Sequence, residues 1–96
     1  MSIEGKVAII TGASSGIGYA TALALSKAGV KVSIGARRTD KLEQLENEIK
    51  KNGGDVLSQK LDVTKKTDCD AIVDQTIKKW GTVDILVNNA GLMPLS

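Results

Sequence analysis

A glycine-rich segment, TGASSGIG at residues 11–18, follows directly after the apolar run VAII at residues 7–10. Gly12 permits a tight turn, Gly16 lets the backbone approach a ligand closely, and Gly18 has no Cβ to hold a following helix away from the strand. A turn of this kind directs backbone N–H groups and the positive end of a helix dipole at one point. The segment therefore predicts a site for a pyrophosphate and, with it, a dinucleotide.

The spacing of these glycines excludes some phosphate-binding classes and leaves one structural alternative. The pattern is G-x3-G-x-G rather than G-x-G-x-x-G, and Ile17 stands where a Walker loop has lysine. A kinase or GTPase is therefore not indicated. Read alone, the segment is also compatible with a purely structural turn in which Ser14 and Ser15 cap the helix.

The composition is typical of one globular domain. Of the 96 residues, 42% are hydrophobic and 25% are charged, and the net charge of +2 is spread without a basic run. We therefore expect neither a nucleic-acid nor a membrane partner. Cys69 is the only cysteine, histidine is absent, and the first residues lack the apolar stretch of a signal peptide. These features predict a cytoplasmic protein with no metal site.

Short apolar runs alternate with amphipathic segments, which predicts an α/β fold with a Rossmann-like, doubly wound parallel sheet. We expect strands near residues 6–11, 31–35, 56–61 and 83–88, and helices near 16–28, 39–51 and 66–79. Right-handed crossovers give the half-sheet order 3-2-1-4, with helices on both faces. The carboxyl ends of strands 1 and 4 then meet at one crevice, where such sheets bind ligands.

Several residues have predicted structural roles in these helices. The third helix is expected to bury an apolar face, and Asp74 and Asp84 are expected on solvated faces. The apolar face comprises Cys69, Ile72, Val73, Thr76, Ile77 and Trp80. Candidate N-caps are Thr39 or Asp40 and Thr67 or Asp68, and the candidate C-terminal glycines are Gly29, Gly53 with Gly54, and Gly81.

The second strand is followed by Arg37 and Arg38, at the interval where NAD-binding proteins carry an acidic residue for the adenosine ribose. A carboxylate repels a 2′-phosphate, whereas a guanidinium binds it through charge-assisted hydrogen bonds. The two arginines thus predict NADP as the cofactor, and the missing acid argues against a methyltransferase. The alternative is that both arginines are simply solvated, and this applies more to Arg38 than to Arg37.

Two further motifs follow the third and fourth strands. Asp62 is able to accept a hydrogen bond from an adenine amino group while the Val63 backbone contacts the ring edge, although an aspartate before a helix is more often a turn residue. The fourth strand ends in NNAG, residues 88–91. We interpret Asn88 as a structural clasp between strand ends, and Asn89, Ala90 and Gly91 as candidates for cofactor contact.

Together these motifs resemble the cofactor-binding half of the short-chain dehydrogenase/reductase family. The positions that match its glycine motif are Gly12, Ser14, Ser15, Gly16, Ile17 and Gly18. The resemblance implies that Asp62 and Val63 contact adenine, that residues 89–91 flank the cofactor, and that Thr11 bonds to the clasp. It also implies an NADP-dependent oxidoreductase that moves hydride between nicotinamide and a carbonyl or alcohol carbon.

The Tyr-x3-Lys pair that this family uses in catalysis does not occur in the chain. Tyr19 is the only tyrosine, and Leu23 stands four residues after it, so we expect it to be a packing or surface residue. No catalytic residue is predicted. We expect residues 1–96 to be one half domain, truncated before the catalytic half and inactive alone, with the substrate undetermined.

An apolar fourth strand at the sheet edge favours a homo-oligomer.

The alternative function is a non-catalytic nucleotide-binding or assembly module.

Overall fold

The computed structural model describes residues 2–14 and 16–89. Within these ranges the chain forms four strands and three helices in strict alternation. Their bounds are β1 Val7–Thr11, α1 Gly16–Lys27, β2 Lys31–Ala36, α2 Thr39–Lys51, β3 Val56–Lys60, α3 Lys66–Trp80 and β4 Ile85–Asn88. The predicted elements are confirmed, and their ends differ by two residues at most. No helix in the described part of the chain has the length and apolar character needed to cross a bilayer.

The strands form one parallel sheet in the order β3-β2-β1-β4, as predicted. Ile9 in β1 lies opposite Ser33 in β2 and Leu86 in β4. All five residues of β1 are buried, because strands lie on both sides of it and helices cover both of its faces. The continuous apolar sequence of β1 is therefore a consequence of its central position.

The sheet divides the core into two layers, one under α1 and α2 and one under α3. Side chains alternate between the faces of a strand, so Ala8 and Ile10 pack on one side of the sheet and Ile9 packs on the other. The layer under α1 and α2 includes Ala22, Val32, Ile34, Leu42, Leu45 and Ile49. The layer under α3 includes Leu61, Cys69 and Ile72.

Two predicted details of the helices are wrong. Arg38 and Lys65 occupy the N-cap positions of α2 and α3, and neither makes a side-chain cap hydrogen bond. The predicted cap residues lie one or more positions further on, inside the first turns. Ile77 is 45% exposed rather than buried, because Thr76 is the residue of this turn that faces the sheet. Of the candidate C-terminal glycines, Gly29, Gly53 and Gly81 are confirmed, since all three have φ near +85°, whereas Gly54 does not have a positive φ.

Asp84 has a structural role that the sequence did not indicate. Its carboxylate Oδ2 accepts the backbone N–H of Val7 at 2.9 Å, and its own N–H donates to the Val7 carbonyl at 2.8 Å. Asp84 is exposed, as expected, but its side chain is not simply solvated. These two bonds fix the start of β4 against the start of β1.

A buried hydroxyl pair connects the sheet to α3. Thr76 Oγ1 donates to the Ile72 carbonyl at 2.6 Å, and the Ser33 and Thr76 hydroxyl oxygens are 2.6 Å apart. Because the Thr76 proton is already used, Ser33 is the donor to Thr76. Both residues are fully buried. The pair therefore satisfies the only hydroxyl of β2 in an otherwise apolar layer.

Thr76→Val is expected to destabilise the chain by about 1–3 kcal/mol, since it leaves the buried Ser33 hydroxyl without its acceptor. The double variant Ser33→Ala/Thr76→Val is expected to recover most of this loss, because both polar groups are then removed. Urea unfolding followed by the fluorescence of Trp80, the single tryptophan, measures both free energies. A double variant as unstable as the sum of the single variants would contradict the pairing.

Candidate cofactor-binding site

A cleft of about 400 Å³ opens at the carboxyl ends of β1, β2 and β3. Three separate parts of the sequence meet there: the glycine-rich turn, the exit of β2 and the exit of β3. The lining residues are Gly12, Ser14, Ala36, Arg37, Arg38, Leu61, Asp62, Val63 and Thr64. Six of the residues predicted for a cofactor site thus line one cleft. Ser15, Ala90 and Gly91 lie outside the described residues.

The glycine-rich turn has the backbone that its sequence predicts. Gly12 and Gly16 have φ of +64° and +51°, in the left-handed region where a Cβ causes strain. The Ala13 N–H donates to the Gly35 carbonyl at 3.1 Å, which fixes the turn against β2. Helix α1 then begins at Gly16, and Ile17 in its first turn is 76% exposed.

The N-terminus of α1 is electrostatically suited to an anion. Its first turn contains no acidic residue, so no side chain there neutralises the positive end of the helix dipole. Such an end offers unpaired backbone N–H groups to a phosphate.

Gly18 is the point of closest approach between α1 and the strand ends. A Cβ at this position would lie 2.3 Å from the Gly12 carbonyl oxygen and 2.7 Å from Asn89 Nδ2. Asn89 Nδ2 in turn donates to the Gly12 carbonyl at 3.2 Å. Asn89 therefore supports the turn directly, and this arrangement has no room for any residue larger than glycine at position 18.

Thr11 and Asn88 join the ends of the two central strands. Thr11 Oγ1 donates to Asn88 Oδ1 at 3.1 Å and lies 3.5 Å from the Val87 carbonyl oxygen. This geometry corresponds to the structural clasp expected for Asn88. The clasp fixes the crevice between β1 and β4 at the edge where the turn begins.

The two arginines differ in their surroundings. Arg38 donates to Asp40 at 3.2 Å, and both side chains are about two-thirds exposed. The pKa of Asp40 lies below its usual value, chiefly because the Lys41 backbone N–H donates to the carboxylate and secondarily through Arg38. No acidic side chain in residues 2–14 and 16–89 forms an ion pair with Arg37, which is exposed at the cleft. Arg37 is therefore the more available cation.

Asp62 combines a turn role with a place in the cleft. Its Oδ1 accepts the Thr64 hydroxyl at 2.6 Å and the Thr64 backbone N–H at 3.0 Å. These two bonds are the main reason that the pKa of Asp62 lies below its usual value, and Arg37 lowers it further. Asp62 is thus a carboxylate at neutral pH. Val63 beside it is half-buried and packs on the core layer under α3.

Sequence reasoning missed several residues of the site. Ala36, Leu61 and Thr64 line the cleft, and Asp68 accepts the Asp62 backbone N–H through Oδ2 at 3.0 Å. Ala36, Leu61 and Thr64 adjoin predicted site residues, so their position at the ends of β2 and β3 was the sequence signal that could have identified them. The sequence indicates Asp68 only as a helix-cap candidate. Its contact with Asp62 forms only when the first turn of α3 lies beside the end of β3.

Tyr19 lies on α1, packed against the core layer under α1 and α2. Its hydroxyl donates to Glu48 Oε2 of α2 at 2.6 Å. That bond, followed by burial and the nearby negative charge, raises the pKa of Tyr19 to about 12. The tyrosine therefore connects two helices, in agreement with the packing or surface role expected for it.

Comparison with known sequences gives consistent matches. The family model for short chain dehydrogenases matches residues 6–96. An uncharacterized oxidoreductase of Listeria monocytogenes is 50% identical over 96 residues, which is 100% of this chain and 39% of the relative. The chain thus spans about two fifths of the length of the first curated relatives that it matches.

Solved structures of similar fold carry either form of the nicotinamide cofactor. L-sorbose reductase from Gluconobacter frateurii, complexed with NADPH and L-sorbose, is 43% identical with a TM-score of 0.89 over 96% of this chain and 35% of its own. A 7α-hydroxysteroid dehydrogenase complexed with NADH is 38% identical with a TM-score of 0.87, over 91% of this chain and 34% of its own.

Spectrophotometric titration of the single tyrosine provides a test of its contact with Glu48. We expect a midpoint near pH 12, and Glu48→Gln is expected to lower it toward 10 because the hydrogen bond to an ionised acceptor is lost together with the nearby negative charge. Since the folded pKa is raised, the stabilisation from this bond is complete below pH 10 and is lost as pH rises through about 12. Glu43→Gln, elsewhere on α2, is the matched control; an equal change there would contradict the assignment.

Proposed function

Because this chain belongs to the short-chain dehydrogenase family, we propose that it is the NADP-binding part of an oxidoreductase acting on a carbonyl or alcohol. The observation that carries this proposal is the single cleft shared by the glycine-rich turn, Arg37 and the Asp62–Val63 pair. When bound there, NADP supplies the hydride chemistry. The residues of the cleft are assigned below to binding and orientation only.

We assign the pyrophosphate to the turn and the start of α1. Gly12, Gly16 and Gly18 give the backbone its close approach, and Ser14 lines the same cleft. Ser15 and Ile17 complete this segment. The unneutralised positive end of α1 supports an anion at this position.

We assign the 2′-phosphate of the adenosine ribose to Arg37, with Arg38 in a secondary role. Arg37 is at the cleft without an ion pair in the described ranges, whereas Arg38 is engaged with Asp40. Binding a phosphate through Arg38 would require it to exchange one anionic partner for another, so the net gain is smaller. The available Arg37 guanidinium supports NADP over NAD. The difference between the two arginines makes Arg37 the stronger candidate for the 2′-phosphate.

Asp62 and Val63 are assigned to the adenine. The Asp62 carboxylate is ionised at neutral pH, and an ionised carboxylate accepts hydrogen bonds only. It therefore suits the amino group of adenine. Asn89, Ala90 and Gly91 are assigned to the side of the cofactor nearer β4, where Asn89 already contacts the turn.

No proton donor is assigned within this chain. Tyr19 is bonded to Glu48 on the outer surface of α1 and α2, and its raised pKa does not suit proton transfer near neutral pH. We therefore propose that the 96-residue chain alone binds cofactor without catalysing hydride transfer.

Strand β4 is proposed as the contact between two copies of the chain. Among the strands of residues 2–14 and 16–89, β4 lies at one edge of the sheet with β1 as its neighbour, and Leu86 on this strand is 40% exposed. An apolar strand at an edge presents unpaired backbone groups to a second strand. A two-fold pairing of β4 with β4 satisfies both copies in the same way.

Arg37→Ala is expected to weaken NADPH binding by about tenfold or more, since a charge-assisted contact to the 2′-phosphate is lost. NADH binding is expected to change by less than about twofold, because NADH has no such phosphate. Arg38→Ala is expected to have a smaller effect on NADPH, and Lys51→Ala at the far end of α2 controls for net charge. Titration calorimetry measures the affinity of all three variants for NADPH and NADH. Equal losses for both cofactors in Arg37→Ala would exclude the assignment of the 2′-phosphate to Arg37.

Leu86→Lys is expected to shift the chain from dimer toward monomer, because a charged residue at the edge disfavours strand pairing. Ile77→Lys introduces the same charge at an exposed position of α3 and is expected to leave the mass unchanged. Light scattering over a range of protein concentrations measures the oligomeric state. A monomeric wild-type chain at all concentrations would refute the proposed contact.

A further inference from the structure

The loop that joins β3 to α3, residues 61–65, forms one side of the cleft. Its last hydrogen bond to the sheet runs from the Leu61 N–H to the Ala36 carbonyl at 2.9 Å. Among the described residues, no backbone bond beyond Leu61 connects this loop to a strand. The positions of Asp62 and Val63 must therefore depend on contacts from outside the sheet.

The first of these contacts comes from Asp68 in the first turn of α3. Its Oδ2 accepts the Asp62 backbone N–H at 3.0 Å in a partly buried position. Asp68 is itself held at both ends of its backbone, since its N–H donates to Lys65 and its carbonyl accepts Gln59 Nε2 at 3.4 Å. The carboxylate thus connects the first turn of α3 to the part of the loop beyond Leu61, which makes no backbone bond to a strand among the described residues.

The rest of the loop is then defined by short-range bonds. The Asp62 carbonyl accepts the Lys65 N–H at 3.0 Å, and the Asp62 side chain accepts both donors of Thr64. The buried thiol of Cys69 lies 3.7 Å from the Val63 carbonyl oxygen. Of these contacts, only those from Asp68 and Cys69 connect the Asp62–Val63 pair to the body of α3.

We propose that Asp68 is a positioning residue for recognition of the adenine base. By fixing the Asp62 N–H, it sets the direction in which the Asp62 side chain and the Val63 backbone face the cleft. Asparagine at position 68 keeps an acceptor oxygen for this bond, whereas alanine removes it. The inference rests on the proposed function, because it assumes that Asp62 contacts adenine.

Base discrimination by the 96-residue chain tests this role. Adenosine 2′,5′-bisphosphate carries an amino donor for Asp62, whereas inosine 2′,5′-bisphosphate has a carbonyl oxygen at that position. We expect the wild-type chain to prefer the adenosine ligand by about tenfold in titration calorimetry. Asp68→Ala is expected to reduce this ratio to about twofold or less, and Asp68→Asn is expected to retain most of it.

Asp70→Ala is the matched control for this experiment. Asp70 lies two residues further along α3, where it pairs with Lys66 at 2.8 Å on the exposed side. Its removal costs the same charge on the same helix without a contact to the loop, so the ratio is expected to stay unchanged. A ratio that is unchanged in Asp68→Ala, or equal losses for both ligands, would overturn the positioning role.

Amide hydrogen exchange separates this inference from the proposed function. In the absence of ligand, Asp68→Ala is expected to speed exchange of the Asp62 amide by about tenfold or more, while Asp70→Ala leaves it unchanged. An unchanged Asp62 amide would overturn the inference even if cofactor binds. A wild-type chain that binds neither bisphosphate would instead overturn the proposed function, and equal binding of both would reject the contact of Asp62 with adenine.

Discussion

The close approach of α1 to the carboxyl ends of β1 and β4 is the constraint on which the rest of this structure depends. Position 18 has no space for a Cβ, because the Gly12 carbonyl and the Asn89 amide occupy that space. The same two groups are hydrogen-bonded to each other, so the bond between Asn89 and Gly12 requires a glycine at position 18. The start of α1 is therefore placed directly over the strand ends, with its positive end toward the cleft.

This placement needs a rigid central strand. Strand β1 is buried on both faces and hydrogen-bonded on both edges, and bonds from Asp84 at one end and Thr11 at the other align it with β4. Burial of its apolar side chains stabilises the strand, and the side-chain contacts of Asp84 and Thr11 add specific hydrogen bonds between β1 and β4 at the two ends. Apolar burial and these end contacts thus act together on the same strand pair.

The fold could be predicted from the sequence because each signal on which the prediction rests is local. Alternating apolar periods define the elements, and the handedness of crossovers limits the strand order. The glycine turn was equally readable, since Gly12 and Gly16 have a positive φ and glycine is the residue type that adopts it without strain. The first residues of α2 and α3 were predicted correctly, but their N-cap residues were not. Arg38 and Lys65 make no side-chain cap hydrogen bond, so they lack the sequence signal of a capping residue.

Apart from the Thr11–Asn88 clasp, which the family resemblance implied, polar partners across the fold could not be predicted. The bonds from Asp84 to Val7 and from Tyr19 to Glu48 join residues far apart in sequence, and only the assembled sheet and helices bring them together. The exposure of Ile77 has the same origin, since the buried Ser33 hydroxyl orients Thr76 toward the sheet. An amphipathic pattern does not contain that information.

The charges of the cleft follow a gradient that the fold imposes. At the turn, the unneutralised end of α1 gives positive potential, and Arg37 extends it toward the exit of β2. At the exit of β3, the Asp62 carboxylate reverses the sign, and the bonds from Thr64 keep it ionised. Arg37 lowers the pKa of Asp62, so the two ends are electrostatically coupled although they belong to different strands.

A ligand that matches this gradient must carry phosphates at one end and a hydrogen-bond donor at the other. Adenosine phosphates have that arrangement, with phosphates at one end and the amino group of adenine at the other. Asp40 is engaged by Arg38 and by a backbone N–H, and Asp68 by the Asp62 N–H. Asp40 and Asp68 are thus partnered within the chain, and no ion pair in residues 2–14 and 16–89 occupies the Arg37 guanidinium.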